Sequence, residues 1–89
     1  MVIKNIYYSS DFLKEFRLLP MEIKKKSVRQ ESIFRTNAFH PSLRLHKLHG
    51  RLSGRWSISV DKAYRIIFGI GQSGDIVFLS IGRHAIYEK

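Results

Sequence analysis

The period of the apolar residues changes at Gly54, and this change restricts the fold more than any other feature of the chain. Beyond it, Trp56, Ile58 and Val60 alternate with Arg55, Ser57 and Ser59, the pattern of a half-buried strand. Asp61-Lys62-Ala63 can turn the chain. Tyr64 to Ile70 is a second strand, more continuously apolar and therefore more central. Gly71-Gln72-Ser73-Gly74 is a strong turn signal, and Ile76 to Ile81 is a third strand. Gly82 is expected to break that strand and leave Arg83 to Lys89 as a short tail. Three strands joined by tight turns give an antiparallel meander.

Before Gly54 the spacing is helical. Ile3 to Tyr8, rich in β-branched and aromatic residues, reads as a first strand. Ser9, Ser10 or Asp11 can cap a helix whose apolar face is Phe12, Leu13, Phe16 and Leu19. Pro20 stops it and suits the first turn of a second helix, from Pro20 or Met21 to about Asn37. The apolar stripe of that second helix is ragged. Ile23, Ile33 and Phe34 cluster, whereas Met21 and Val28 lie elsewhere. Ala38 to Gly54 reads as loop, with Leu43, Leu45 and Leu48 pinning it to the core. The order β-α-α-β-β-β implies an α+β fold, a helical hairpin packed on a small, mainly antiparallel twisted sheet, with the first strand joining its edge.

At 89 residues the chain is expected to form one domain, residues 1–89, with a thin core. The length excludes a multidomain enzyme and a doubly wound cofactor fold. A hydrophobic fraction of 44% excludes a disordered basic tail. Cysteine is absent, which removes disulfides, thiolate zinc sites and cysteine nucleophiles, and favours a reducing cytoplasm. Charge follows within three residues of Met1, so no signal peptide is expected, and no apolar run is long enough to span a membrane. The net charge is +9, and residues 20–49 alone carry seven basic against two acidic side chains. Such a balance points to nucleic acid, ribosomal or acidic-protein partners.

Four histidines stand out: His40, His46, His49 and His84. The spacing of His46 and His49 is one that zinc ligands use, but the nearby acids Asp61 and Asp75 both fall at turns, so no metal site is expected. His46 suits a general base, because imidazole titrates near neutrality; the plainer reading is a loop histidine bonded to backbone. Arg65 sits within an apolar strand, where a fixed guanidinium can fork onto a phosphate or reach into solvent from the sheet. Arg83, His84 and Tyr87 bring a cation, an imidazole and a phenol to one sheet edge, able to bind phosphate, donate a proton and stack on a base. The plainer reading there is a frayed basic tail. Lys24-Lys25-Lys26 reads first as a solvated helix face and second as a nucleic-acid contact. Trp56 reads as packing. No phosphate-cradling loop, no carboxylate pair and no serine–histidine–acid set is recognisable. With clustered acids lacking, nucleic-acid cleavage falls to Arg, Lys, His and Tyr, a toolkit suited to RNA, whose 2′-hydroxyl supplies the nucleophile.

The stretch Leu43 to Tyr87, with LRLHKLHGRLSGRWSISV, YRIIFGI and IVFLSIGRHAIY, resembles the RelE/ParE superfamily of toxins from bacterial toxin–antitoxin systems. The helical segment LPMEIKKKSVRQESIFRTNAFHPSL before it is similar to that family's hairpin and exit loop. The resemblance implies a small α+β toxin neutralised by a cognate acidic antitoxin. Members of the RelE, YoeB and YafQ types cleave mRNA in the ribosomal A site, whereas the ParE branch poisons DNA gyrase and lacks the nuclease residues. Family nucleases place a base two residues before the leucine of a Leu-x-Gly stretch, here His46 before Leu48. The arginine of the strand motif Tyr-Arg matches Arg65, the histidine after Gly-x matches His84, and the closing aromatic matches Tyr87. The sequence departs from the YafQ type at Ser59, where that type carries a second histidine, and Asp61 lies only near the place of its acid.

The resemblance therefore implies a metal-independent endoribonuclease without cofactor. It makes His46, Arg65, His84 and Tyr87 catalytic; from their charge, Lys24, Lys25, Lys47, Arg51, Arg55 and Arg83 are expected to contact RNA phosphates. The alternatives are a gyrase inhibitor and a basic RNA-binding module without toxicity.

Overall fold

The computed structural model describes residues 3–88, without the side chains of His84 and Glu88. Strand β1 (Ile6–Tyr8) leads into α1 (Ser10–Arg17) and α2 (Met21–Thr36). Strands β2 (His46–Lys47), β3 (Trp56–Ser59), β4 (Tyr64–Ile70) and β5 (Ile76–Arg83) follow. Short 3-10 turns occupy Pro41–Leu43, Gly50–Leu52 and His84–Glu88. The sheet order is β1-β5-β4-β3-β2, antiparallel except where β1 lies parallel to β5 at the edge. This is the expected α+β architecture.

Of the three candidate caps, Ser9 starts α1: its Oγ accepts from the Phe12 N–H at 3.0 Å. The same Oγ donates to the Leu79 carbonyl at 3.0 Å, tying the helix start to β5. Pro20 caps α2, and its carbonyl receives the N–H groups of Ile23 and Lys24. β1 stops pairing with β5 at Phe78. Beyond that point Glu15 of α1 serves the β5 edge, accepting from Ser80 Oγ at 2.8 Å and from the Ile81 N–H at 3.1 Å. A carboxylate thus replaces strand pairing where the strand runs out.

The hairpin α1–α2 covers one face of the sheet. Phe34, Phe68 and Phe78 are fully buried there, with ring centroids 5.0–6.3 Å apart, and Phe12 stacks toward Tyr8. Leu43 and Leu45 pin the long connection to this core, as the sequence implied, and Trp56 packs against it. Gln30, buried on α2, donates to the Ser59 carbonyl at 2.9 Å and the Ser42 carbonyl at 3.2 Å, which locks the Pro41–Leu43 turn between helix and sheet.

Four expectations need correction. The loop before Gly54 contains β2, whose two residues pair His46 with Ser57 and Lys47 with Trp56. Gly82 does not break β5, which runs on to Arg83. A β-carbon at Gly82 would lie 2.6 Å from Ile86 Cγ2, so the glycine serves close approach of the C-terminal turn rather than a stop. That turn folds back on the sheet instead of fraying. Its Ile86 joins Leu48 and Ile67 in a second apolar cluster, edged by Leu52 and Tyr87. As a result β3 is covered on both faces: Ser57 and Ser59, expected on a solvated side, are buried. Among the described residues no helix is long and apolar enough to cross a membrane.

Candidate functional site

Alternate residues of a strand share a face. Ile58 faces the helical core, so its neighbours Ser57 and Ser59 face the other way, toward the second cluster. The site is built outward from these two serines. Ser57 Oγ lies 2.8 Å from the Tyr87 hydroxyl, so the phenol at the chain end is held by a side chain with no exposure of its own. Ser59 stands opposite Arg65 in the β3–β4 ladder, and its Oγ accepts from Arg65 Nη1. The same nitrogen donates to the Asp61 carbonyl at 2.9 Å. Both Nη1 hydrogens are therefore committed to protein. Arg65 is half-buried, and its Nε and Nη2 make no hydrogen bond among the described residues. A guanidinium braced on one nitrogen with a free edge suits a bidentate anion.

His46 lies on β2 directly across from Ser57 and is exposed. Its Nδ1 is 3.0 Å from the Arg44 carbonyl. A carbonyl only accepts, so Nδ1 carries the proton in the neutral ring and Nε2 keeps its lone pair. Arg44, which supplies that carbonyl, is the one non-glycine residue with positive φ among those described, at 46°.

Two further cations share this face. Arg55 extends over Gly69, where a β-carbon would sit 3.4 Å from its Nη1. Arg51 lines a cleft of about 300 Å³ with Leu48, His49, Leu52 and Tyr87. His46, Arg51, Arg55, Arg65 and Tyr87 are thus gathered on the face away from the helices.

The remaining expected residues are placed elsewhere. Lys47 lies on the Trp56 side of β2, its Nζ 5.9 Å from the indole centroid. Lys24 packs its ammonium 6.0 Å from the Phe16 ring, and Lys25 is exposed beside it on α2, so both are across the sheet from His46 and Arg65. Arg83, expected to assist Arg65, pairs in register with Tyr64 instead. Its guanidinium lies 5.2 Å from the Tyr64 ring centroid and its Nε 3.4 Å from the hydroxyl, on a residue that packs toward the main core. The His84 backbone opens the C-terminal turn; its side chain lies outside the described residues.

Asp61 closes the β3–β4 turn. Its Oδ1 accepts from the Ala63 and Tyr64 N–H groups at 2.8 Å each, and Oδ2 is 3.7 Å from Lys26 Nζ. Burial disfavours its charge, but the two N–H donors and Lys26 outweigh this and hold the carboxyl below its ordinary range. Among the described residues no three His, Asp or Glu side chains cluster as metal ligands.

Sequence reasoning missed Ser57 and Ser59. A signal was present: closing the strands at Asp61–Ala63 places Ser59 opposite Arg65, which puts a hydroxyl beside the one charge in the central strand.

No protein-family model matches the sequence, nor does any curated protein sequence. Solved structures do match. YafQ from E. coli strain BL21(DE3) superposes with a TM-score of 0.78 at 18% identity, over 94% of this chain and 97% of that one. A YoeB/ParE toxin from Agrobacterium tumefaciens gives 0.77 at 13% identity, over 91% and 99%. The RelBE2 toxin–antitoxin complex from Mycobacterium tuberculosis gives 0.65 at 18% identity, over 96% and 95%. The helical hairpin, the five-stranded sheet and the short C-terminal turn are therefore the RelE/YoeB/YafQ toxin fold, which this chain carries almost from end to end.

Proposed function

We propose that this protein is the toxin of a type II toxin–antitoxin pair and that it cleaves mRNA on the ribosome. The observation that carries the reading is that His46, Arg65 and Tyr87 share one sheet face, each oriented by a hydrogen bond to its own support. His46 Nε2 takes the proton of the 2′-hydroxyl. The 2′-oxygen attacks phosphorus as the bond to the 5′-oxygen breaks. Arg65 offers Nε and Nη2 to the non-bridging oxygens, where charge develops. Tyr87 or His84 returns a proton to the leaving 5′-oxygen. The products are a 2′,3′-cyclic phosphate and a 5′-hydroxyl, and no step calls for a metal ion. Arg51 and Arg55 hold neighbouring phosphates, and the cytoplasmic ribosome completes the site.

The antitoxin half of the reading is supported by the solved complexes of similar fold, DinJ–YafQ and RelBE2. A chain at +9 favours an acidic partner that folds on binding.

A translating extract programmed with a reporter mRNA tests the reading. The wild type is expected to cut the message in EDTA-tolerant fashion once ribosome integrity is controlled. His46→Ala and Arg65→Ala are each expected to lower the cleavage rate about 10²–10⁴-fold. Intact message in the extract, together with growth arrest and a DNA-damage response when the gene is induced in cells, would replace it with the gyrase reading.

A further inference from the structure

At one end of the sheet, where the Pro41–Leu43 turn meets the Asp61 turn, two cavities share Ser42 and Asp61 as walls. The larger, about 430 Å³, has an apolar floor of Ile33 and Val60 and a rim that includes Lys26, Arg29 and His40. The smaller, about 380 Å³, is edged by Arg44 and Lys62 and reaches Ser59. Ser59 is the residue that braces Arg65, so the second cavity begins where the proposed cleavage site ends.

The charges of this cleft are unevenly committed. The Asp61 carboxylate is used by two backbone N–H groups and Lys26. Arg29, Arg44 and Lys62 are exposed and make no ion pair among the described residues. Arg44 is notable, because its φ of 46° is one that glycine adopts without strain. Glycine would present the same carbonyl to His46, so the backbone does not explain an arginine there. His40 is exposed and caps the Pro41–Leu43 turn: its Nδ1 accepts from the Ser42 N–H at 3.2 Å and lies 2.9 Å from Ser42 Oγ, which orients the ring. An oriented flat ring beside a small apolar floor, with Arg29 on the same rim and Arg44 and Lys62 on the adjoining cavity, matches one nucleotide.

We infer that this cleft binds the nucleotide flanking the scissile phosphate, its phosphate on Arg29, Arg44 and Lys62 and its base against His40. The inference rests on the RNA-cleavage reading and extends it to a second subsite. An acidic polypeptide would meet the same charges, but it needs neither a ring-sized recess nor an oriented imidazole beside it.

The test is binding of a short fluorescent oligoribonucleotide, 2′-O-methylated so that it cannot be cut, measured as Kd against salt. For single strands each phosphate contact contributes about 0.7 to the slope of log Kd against log salt. The Arg29→Ala/Arg44→Gly/Lys62→Ala variant is expected to lose about 0.7 from that slope, the share of the one phosphate the three cations hold. His40→Ala is expected to weaken binding at least about fivefold with the slope unchanged. Arg44→Gly alone relieves backbone strain, so it carries the test if the triple variant does not fold, with weaker binding at low salt and a loss of part of that one-phosphate slope. Wild-type affinity and slope in these variants overturn the inference. So does loss of polyglutamate binding with RNA binding intact, which would make the cleft a protein-docking surface. Because binding is read without cleavage, a wild type that binds through these cations but leaves mRNA whole in a translating extract refutes only the cleavage reading, and the cleft stands as an RNA site.

Discussion

On the helical side of the sheet, Phe34, Phe68, Phe78, Ile58 and Ile66 are closed off from water completely. On the other side the buried apolar cluster shrinks to Leu48, Ile67 and Ile86, edged by Leu52, beside hydroxyl, phenol, imidazole and guanidinium groups. The same strands β3, β4 and β5 build both sides. Their alternation divides the labour: one set of side chains supplies burial, and the intervening set supplies positioned polar groups. A thin domain can bury few polar groups on its helical side, where Gln30 is held by two carbonyls, so most of its positioned polar groups lie on the other face. Every described buried side-chain polar atom nevertheless has a partner. The open face is polar but not loose.

The sharpest way to break this contrast is to cut one residue from each side. Phe34→Ala removes a fully buried ring that touches Phe68 and Phe78. It should cost about 3–5 kcal/mol, a large share of the roughly 5–13 kcal/mol that a chain of this size has available. Leu48→Ala, in the small cluster and slightly exposed, should cost about 2 kcal/mol, the lower end for such a truncation. Urea midpoints of the two variants measure the difference. Equal losses would mean that the second cluster is as structural as the first.

A smaller effect is expected at Ser59, where the open face holds its charge. Ser59→Ala leaves one Arg65 Nη1 hydrogen without its acceptor in a half-buried setting, at a cost of about 1 kcal/mol. With the Asp61 carbonyl still in place, Arg65 keeps one support and loses its orientation. Cleavage should then fall about tenfold, an effect of about 1.4 kcal/mol on the barrier, and Ser59→Thr should restore it. A stability loss with unchanged cleavage would reduce Ser59 to a packing residue.

The contrast between the faces also marks how far the sequence could be read. The hairpin, the meander and the helical core follow from residue periods that persist over several turns or alternations, so α1, α2, β3, β4 and β5 were legible. β2 was not, because two residues carry no period and His46–Lys47 become a strand only by pairing with β3. Gly82 was misread because a glycine that breaks a strand and one that admits a neighbour look alike until Ile86 is seen above it. Within the proposed site, His46, Arg65 and Tyr87 stand out in the sequence by their chemistry. Ser57 and Ser59 do not, since a serine alternating with apolar residues reads as solvated, and their burial depends on Leu48 and Ile86, distant in sequence. The faces of Lys24, Lys47 and Arg83 were illegible for a similar reason: charge can be counted in a sequence, but the side of a sheet it occupies depends on register.

Acid titration tests the corner where the two faces meet. Asp61 caps the β3–β4 turn, reaches Lys26 of α2, and through its carbonyl steadies Arg65. Burial opposes its ionisation, yet the Tyr64 and Ala63 N–H groups and Lys26 hold its carboxyl below the ordinary value of 3.8. A folded-state value lower than the unfolded one means stability that is fully present above the unfolded value and is lost as pH falls through the folded one. The wild type should therefore hold its urea midpoint down to about pH 5 and lose stability below about pH 4. Asp61→Asn keeps an oxygen for the two N–H groups and removes the charge. It should cost up to about 1 kcal/mol at neutral pH, as expected for a partly exposed pair, and should flatten the acid limb relative to wild type. If both proteins lose stability along the same curve, the acid sensitivity belongs to other carboxylates, and the Asp61 corner is held by its hydrogen bonds alone.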